Sequence, residues 1–91
     1  MSSYTYRYRA VALAFGEALR AARQAQGVSQ DQLADQCNLD RSYPSLLERG
    51  LRHPTLSMIL RLADGLCLDP TQLVISTVAR LTGKQVAGGA S

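Results

Sequence analysis

The 91-residue sequence has no tryptophan, one phenylalanine, one histidine, one lysine, two isolated cysteines and no long apolar run. Each scarcity excludes something. With so few aromatics, a core must be built from Leu, Ala, Ile and Val, which suits a small helical bundle. The lone His53 has no serine, cysteine or carboxylate motif around it. No catalytic triad and no metal-ligand set can therefore be assembled, and no enzyme activity, metal or cofactor is expected. Cys37 and Cys67 lack metal-ligand spacing. One disulfide between them and two free thiols both fit the count, and the apolar helical surroundings of Cys37 favour a reduced, buried residue. No leader-like or membrane-spanning stretch is visible, so a soluble cytoplasmic protein is expected.

What is present is a hydrophobic fraction of 46%, enough for one core in a chain of this length. The net charge of +3 rests on nine arginines and a single lysine. Arginine offers planar bidentate contacts to phosphate and guanine, so the bias favours nucleic acid more than the small total suggests.

The stretch QDQLADQCNLDRSYPSLLER, Gln30 to Arg49, reads as two short helices around a tight turn. Leu33 and Cys37 share one face, Ala34 is small enough for a close helix crossing, and Asn38 tolerates the left-handed backbone that ends a helix. Asp40 is then expected as N-cap of the second helix, with Leu47 inward and Arg41, Ser42 and Ser45 outward. If DNA is the partner, the start of that helix enters the major groove.

Around this centre the chain divides into an N-terminal arm over residues 1–9, a helical domain over 10–82 and a disordered tail over 83–91. Tyr4, Tyr6 and Tyr8 alternate with Thr5, Arg7 and Arg9, a strand-like pattern with no visible partner; an irregular or helical arm is expected. Residues 9–26 are rich in helix formers, with Phe15, Leu19 and Ala22 on the buried face and Gly27 as the stop. Ser29 and Gln32 form a capping box that starts a helix at Gln30. Thr55 caps a fourth helix whose buried stripe is expected to be Leu56, Ile59, Leu60, Ala63 and Leu66. Asp69, Pro70 and Gln72 open a fifth, running to about Thr82 before Gly83. Its Leu73, Val74, Ile75, Val78, Ala79 and Leu81 surround most of the helix. One small core cannot bury all of them, so a dimer interface at Val74, Ile75, Val78 and Leu81 is expected.

From Phe15 to Val74, the pieces FGEALRAAR, GVSQDQLA, CNLDRS, LLERG, HPTL and LRLADGL resemble the Cro/cI-type (XRE-like) helix-turn-helix family of phage and bacterial transcriptional regulators, in order and spacing. The resemblance covers about two thirds of the chain. It implies an all-α, compact five-helix, lambda-repressor-like DNA-binding domain. It further implies an internal structural ion pair between Arg23 and Glu48, and a backbone contact from Gln30 to a DNA phosphate. Arg41, Ser42 and Ser45 match or neighbour base-reading positions, with Arg41 expected to face a guanine. Tyr43, Arg49 and Arg52 suit contacts to the DNA backbone. Three residues depart from the family pattern: Pro44 replaces a β-branched aliphatic on the inner face of the second motif helix, and Asn38 and Cys67 replace glycines that end helices.

The expected function is that of a sequence-specific regulator bound as a homodimer to double-stranded DNA, on half-sites one helical turn (~34 Å) apart. Small members of the family include restriction–modification autoregulators, phage repressors and antitoxins. The alternative is accordingly an antitoxin-type or protein-interaction module that also or mainly binds a partner protein.

Overall fold

The computed structural model describes residues 7–83. Among them are five α-helices and no strand: α1 (Tyr8–Ala25), α2 (Gln30–Cys37), α3 (Tyr43–Glu48), α4 (Leu56–Gly65) and α5 (Pro70–Thr82). The all-α, five-helix expectation is borne out. Tyr8 and Arg9, placed in the arm by the sequence pattern, form the first turn of α1. The remainder of the expected arm, residues 1–6, and the expected tail from residue 84 lie outside the described residues.

Helix starts follow the capping residues. Ser29 Oγ accepts the Gln32 N–H at 3.0 Å, and Gln32 Oε1 accepts the Ser29 N–H at 2.9 Å, completing the box that opens α2. Thr55 Oγ1 accepts from the Met58 N–H at 3.1 Å at the start of α4. At α5 the Asp69 carboxylate takes the backbone N–H and hydroxyl of Thr71, at 3.0 and 2.9 Å, in place of the expected pairing with Gln72. These two bonds, the backbone one foremost, hold the Asp69 pKa below the usual carboxylate value.

Helix ends share one device. After each of the first four helices a residue with φ between 55° and 72° reverses the chain: Gly27, Asn38, Gly50 and Cys67. In each case the next residue donates its N–H back five positions: Val28 to Arg23, Leu39 to Ala34, Leu51 to Leu46 and Leu68 to Ala63. This is the Schellman arrangement, which satisfies carbonyls that a helix end otherwise leaves open. Cys67 thus completes a regular cap despite replacing a glycine, holding a Cβ-bearing residue at φ 56°.

The core is formed by Phe15, Leu19, Leu33, Cys37, Leu47, Leu62, Ala63, Leu66 and Leu73. Helix α1 packs against α3 and α5, α2 against α3 and α4, and α4 against α5. Because α1 lies between two helices, its buried surface exceeds the expected stripe and adds Ala12, Ala14, Gly16 and Ala18. Gly16 is there for space: a Cβ on it would fall 2.6 Å from the Glu48 carbonyl oxygen and collide with that of Leu47. The backbones of α1 and α3 are therefore in direct contact, and no larger residue fits between them.

Helix α4 corrects the expected stripe. Leu56 is 70% exposed and Leu60 49%, whereas Leu62 is fully buried. The face that packs is Ile59, Leu62, Ala63 and Leu66, at i, i+3, i+4 and i+7. The expected stripe shared three of these residues but followed its other shoulder, which faces solvent.

One charged connection runs through this packing. Arg23 on α1 donates Nε to Glu48 Oε2 at 2.6 Å and Nη2 to Oε1 at 3.0 Å. Its third nitrogen, Nη1, reaches the Val28 carbonyl at 2.9 Å, and Gln30 Nε2 donates to Glu48 Oε1 at 3.0 Å. The side chains are only 12% and 4% exposed. The hydrogen bonds to Glu48 raise the Arg23 pKa above its already high ordinary value, against the opposing effect of burial.

Removing one partner strands the other charge, so Glu48→Ala is expected to lower unfolding free energy by ~3–5 kcal/mol. The double change Arg23→Met/Glu48→Leu should cost less than Glu48→Ala alone, and urea unfolding of the three proteins decides the point. Cys67→Gly is expected to do the reverse and raise stability by about 0.5–1 kcal/mol, because it removes the left-handed Cβ penalty at an exposed site with nothing to unpack. An unchanged or lower urea midpoint would contradict that.

Candidate nucleic-acid interface

The turn between α2 and α3 and the start of α3 carry the residues that the sequence pattern marks for base contact. The expected geometry is altered here. Asp40 does not cap α3, which begins at Tyr43 with Ser42 in the cap position. Pro44 is the reason. A helix capped by Asp40 would need the residue-44 N–H to close its first bond onto the Asp40 carbonyl, and proline has none. Instead the Tyr43 N–H closes a tighter turn onto that carbonyl at 3.0 Å, and regular bonding starts with Leu46 N–H to the Ser42 carbonyl at 3.2 Å. Pro44 itself is buried, in the first turn of α3.

The Asp40 carboxylate keeps a local role. Its Oδ2 accepts the Ser42 backbone N–H at 3.0 Å and also the Ser42 hydroxyl. Both bonds, the side-chain one foremost, hold the Asp40 pKa below the ordinary value. A folded pKa lowered in this way means that the turn is stabilised at neutral pH and loses that support only as pH falls through the carboxylate range. The Ser42 hydroxyl donates to Asp40, which leaves its oxygen lone pairs open to accept from a ligand.

Arg41 precedes α3 and is 74% exposed in its side chain. Its Nε lies 3.9 Å from Asp31 Oδ1, a carboxylate in the first turn of α2. An exposed pair at this distance contributes little to stability, but it biases where the guanidinium points. Ser45 is half-buried, and Arg49, exposed, turns its Nε toward the Ser45 carbonyl at 3.4 Å. Tyr43 is half-buried against the core cluster. Gln30 opens α2, but its side-chain amide is taken by Glu48. Arg52 stands apart from this group, exposed in the loop after α3.

That loop brings together residues the sequence did not connect. The rings of Tyr8 and His53 stack with centroids 4.0 Å apart and planes 25° apart. Beside them is an open cleft of about 370 Å³ bordered by Arg9 and Arg52, with Ala12 and Gly50 among its walls. No spacing rule links residue 8 to residue 53, so only the fold could reveal the pair. Asp31 was also missed; its i+10 separation from Arg41 crosses a turn and has no periodic signal.

On the other side of His53 lies an apolar groove of about 200 Å³, formed by Val11, Phe15 and Ile59 with Val74, Val78 and Leu81 of α5. Val74 and Val78 are 45% and 38% exposed. Three of the four candidate interface residues thus meet along one face, 74, 78 and 81. Ile75, also exposed, is turned about 100° away and does not line the groove. Thr77 is buried, its hydroxyl satisfied by the Leu73 carbonyl at 2.7 Å. Among the described residues no cluster of His, Cys, Asp or Glu could hold a metal. No helix there is long and apolar enough to cross a membrane.

Comparison with known proteins agrees with this architecture. The chain is 35% identical over 65 residues to the control protein C.BamHI of Bacillus amyloliquefaciens, covering 70% of this chain and 80% of that one. Among solved structures it resembles the restriction-modification controller protein C.AhdI of Aeromonas hydrophila, at 45% identity and a TM-score of 0.66, over 68% of this chain and 94% of that one. It also resembles the clp gene regulator ClgR of C. glutamicum, at 26% identity and a TM-score of 0.73, over 76% and 90% of the two chains. The model of the helix-turn-helix domain matches residues 14–74, which span α2, the turn and α3. The chain belongs to the helix-turn-helix domain family.

Proposed function

We propose that the protein is a sequence-specific DNA-binding transcriptional regulator that acts as a homodimer on a two-fold-related operator. The observation that carries this reading is the exposed pair Arg41 and Ser42 at the start of α3, held by a buried ion pair and a capped turn in a chain whose relatives are described as regulators. Two of those relatives are described as control or controller proteins, one of them for restriction-modification. A small controller of that kind is the narrower form of the proposal.

Arg41 is assigned the main base contact, its fork matching guanine O6 and N7 in the major groove. Asp31 biases its direction before DNA arrives. Ser42 and Ser45 read neighbouring bases, with the Ser42 oxygen placed to accept from an amino group while its hydroxyl donates to Asp40. Tyr43, Arg49 and Arg52 face the sugar-phosphate backbone. The side chain of Gln30 belongs to Glu48. Its part in phosphate binding therefore falls to the backbone N–H at the start of α2.

Dimerisation is assigned to the exposed apolar side of α5, with Val74 and Val78 at its centre and Leu81 and Ile75 at its margins. A regulator of two-fold-related sites needs such a contact, since one domain of this size meets only one half-site.

Selection of bound duplexes from random DNA at defined salt should return a palindromic consensus, with half-sites separated by about one helical turn. Arg41→Ala should relax the preference at one position of each half-site, by ~1–3 kcal/mol of discrimination. Arg52→Ala should weaken binding to all sequences by a common factor. An unchanged consensus for Arg41→Ala removes the base assignment. Val78→Asp is expected to shift sedimentation from dimer to monomer with the circular dichroism spectrum intact, because Val78 is already exposed. A dimer that survives the substitution places the interface elsewhere.

A further inference from the structure

Helix α1 starts six residues ahead of the region matched by the helix-turn-helix family, at Tyr8 against residue 14. This added turn and a half places Ala12 in the core, but its first residue, Tyr8, is 74% exposed. Its first two residues nevertheless have a defined place. Tyr8 stacks on His53, and Arg9 joins Arg52 at the cleft beside the stack. Gly50, which ends α3, is part of the same cleft. The cleft therefore begins where the base-reading helix stops. With six residues in α3, about 9 Å of helix rise separates it from the turn that holds Arg41.

The chemistry of the cleft is one-sided. Its charged side chains are arginines and no carboxylate lines it. Among the described residues neither Arg9 nor Arg52 is engaged in a salt bridge, whereas Arg23, Arg41 and Arg80 each are. The two guanidinium forks supply only donors, the phenol O–H and an imidazole N–H add further ones, and the arginine fork matches phosphate with two parallel bonds. The cleft is open and its arginines are solvated. A free small anion gains little there, while a polyanion already held by α3 delivers its next phosphates without further translational loss.

We propose that this cleft seats a backbone phosphate of the DNA beside each half-site, which makes Arg9, Tyr8 and His53 part of the DNA-binding surface. The extension of α1 thereby widens the footprint beyond the helix-turn-helix unit, with the Tyr8–His53 stack fixing the extension against the loop that carries Arg52. This rests on the DNA-binding reading above and adds to it a contact in which Tyr8 and Arg9, outside the matched family region, join His53 and Arg52 within it.

The test uses the full chain and the duplex recovered by selection, with affinity measured by fluorescence anisotropy over a range of salt. Each phosphate contact contributes about 0.9 to the slope of log affinity against log salt. Arg9→Gln should therefore reduce the slope by about 1.8 for a dimer and weaken binding roughly 3- to 10-fold at moderate salt, equally on the selected duplex and on unrelated sequences. Tyr8→Ala should weaken binding in the same sequence-independent way. Arg80→Gln, on α5 and paired with Glu17, should leave slope and affinity unchanged. If the unaltered protein binds DNA and Arg9→Gln matches it in both slope and affinity, the cleft is not a phosphate seat and this inference is overturned alone. If the unaltered protein binds no duplex, the DNA-binding reading fails and takes this contact with it.

Discussion

The bidentate pair between Arg23 and Glu48 sets the relation between the scaffold and the reading edge. Glu48 is the last residue of α3, and Arg23 lies in the last turn of α1. Two parallel hydrogen bonds at 2.6 and 3.0 Å fix direction as well as distance, which a single apolar contact does not. The remaining donors and acceptors are used as well. Arg23 Nη1 holds the Val28 carbonyl in the link to α2, and Gln30 at the start of α2 closes onto Glu48. One buried carboxylate thus gathers α1, α2 and α3 around the end of a helix only six residues long. So short a helix has no independent stability, because nucleation consumes most of what its few hydrogen bonds provide. Its position is imposed by the pair at one end, by Leu47 in the core and by the absence of a side chain at Gly16 beneath it.

This constraint makes the irregular start of α3 tolerable. Pro44 removes one hydrogen bond from the first turn, and the chain responds with a tighter turn in which Tyr43 and Ser42 both bond back to Asp40. The C-terminal half of α3 is held by the Arg23–Glu48 pair and by Leu47 in the core, independently of how the N-terminal half is bonded. Pro44 then serves as a core residue, buried where a β-branched aliphatic would otherwise pack. The cost falls on helix length and leaves Arg41 on a turn ahead of the helix. A guanidinium on a turn has more freedom than one on a helix, and Asp31 at 3.9 Å restores part of the direction that is lost.

The features legible in the sequence were those with a local cause. The Ser29–Gln32 box, the Thr55 cap and the left-handed positions Gly27 and Asn38 each depend on a few neighbouring residues, and all are found as read. The structure departs from the sequence pattern where the cause is not local. Periodicity in α4 fits Leu56 and Leu60 as well as Leu62, since the two faces overlap, and packing against α2 and α5 selects Leu62. Asp40 has the right identity for a cap, but the missing N–H four residues later moves the helix start to Tyr43. The Tyr8–His53 stack joins positions 45 apart and had no signal at all.

His53 links two parts of the surface that otherwise look independent. One side of the ring meets Tyr8 at the basic cleft, and the residue also borders the apolar groove that contains Val74 and Val78. If the α5 face joins two copies and the cleft meets DNA, both contacts converge on the loop 51–54. Reshaping that loop on dimer formation would then move Arg52 and the Tyr8 stack together. Coupling of this sort is reciprocal: whatever free energy dimerisation adds to DNA binding, DNA adds to dimerisation. A steep response to the regulator's own concentration can arise in that way, from one loop shared by two interfaces.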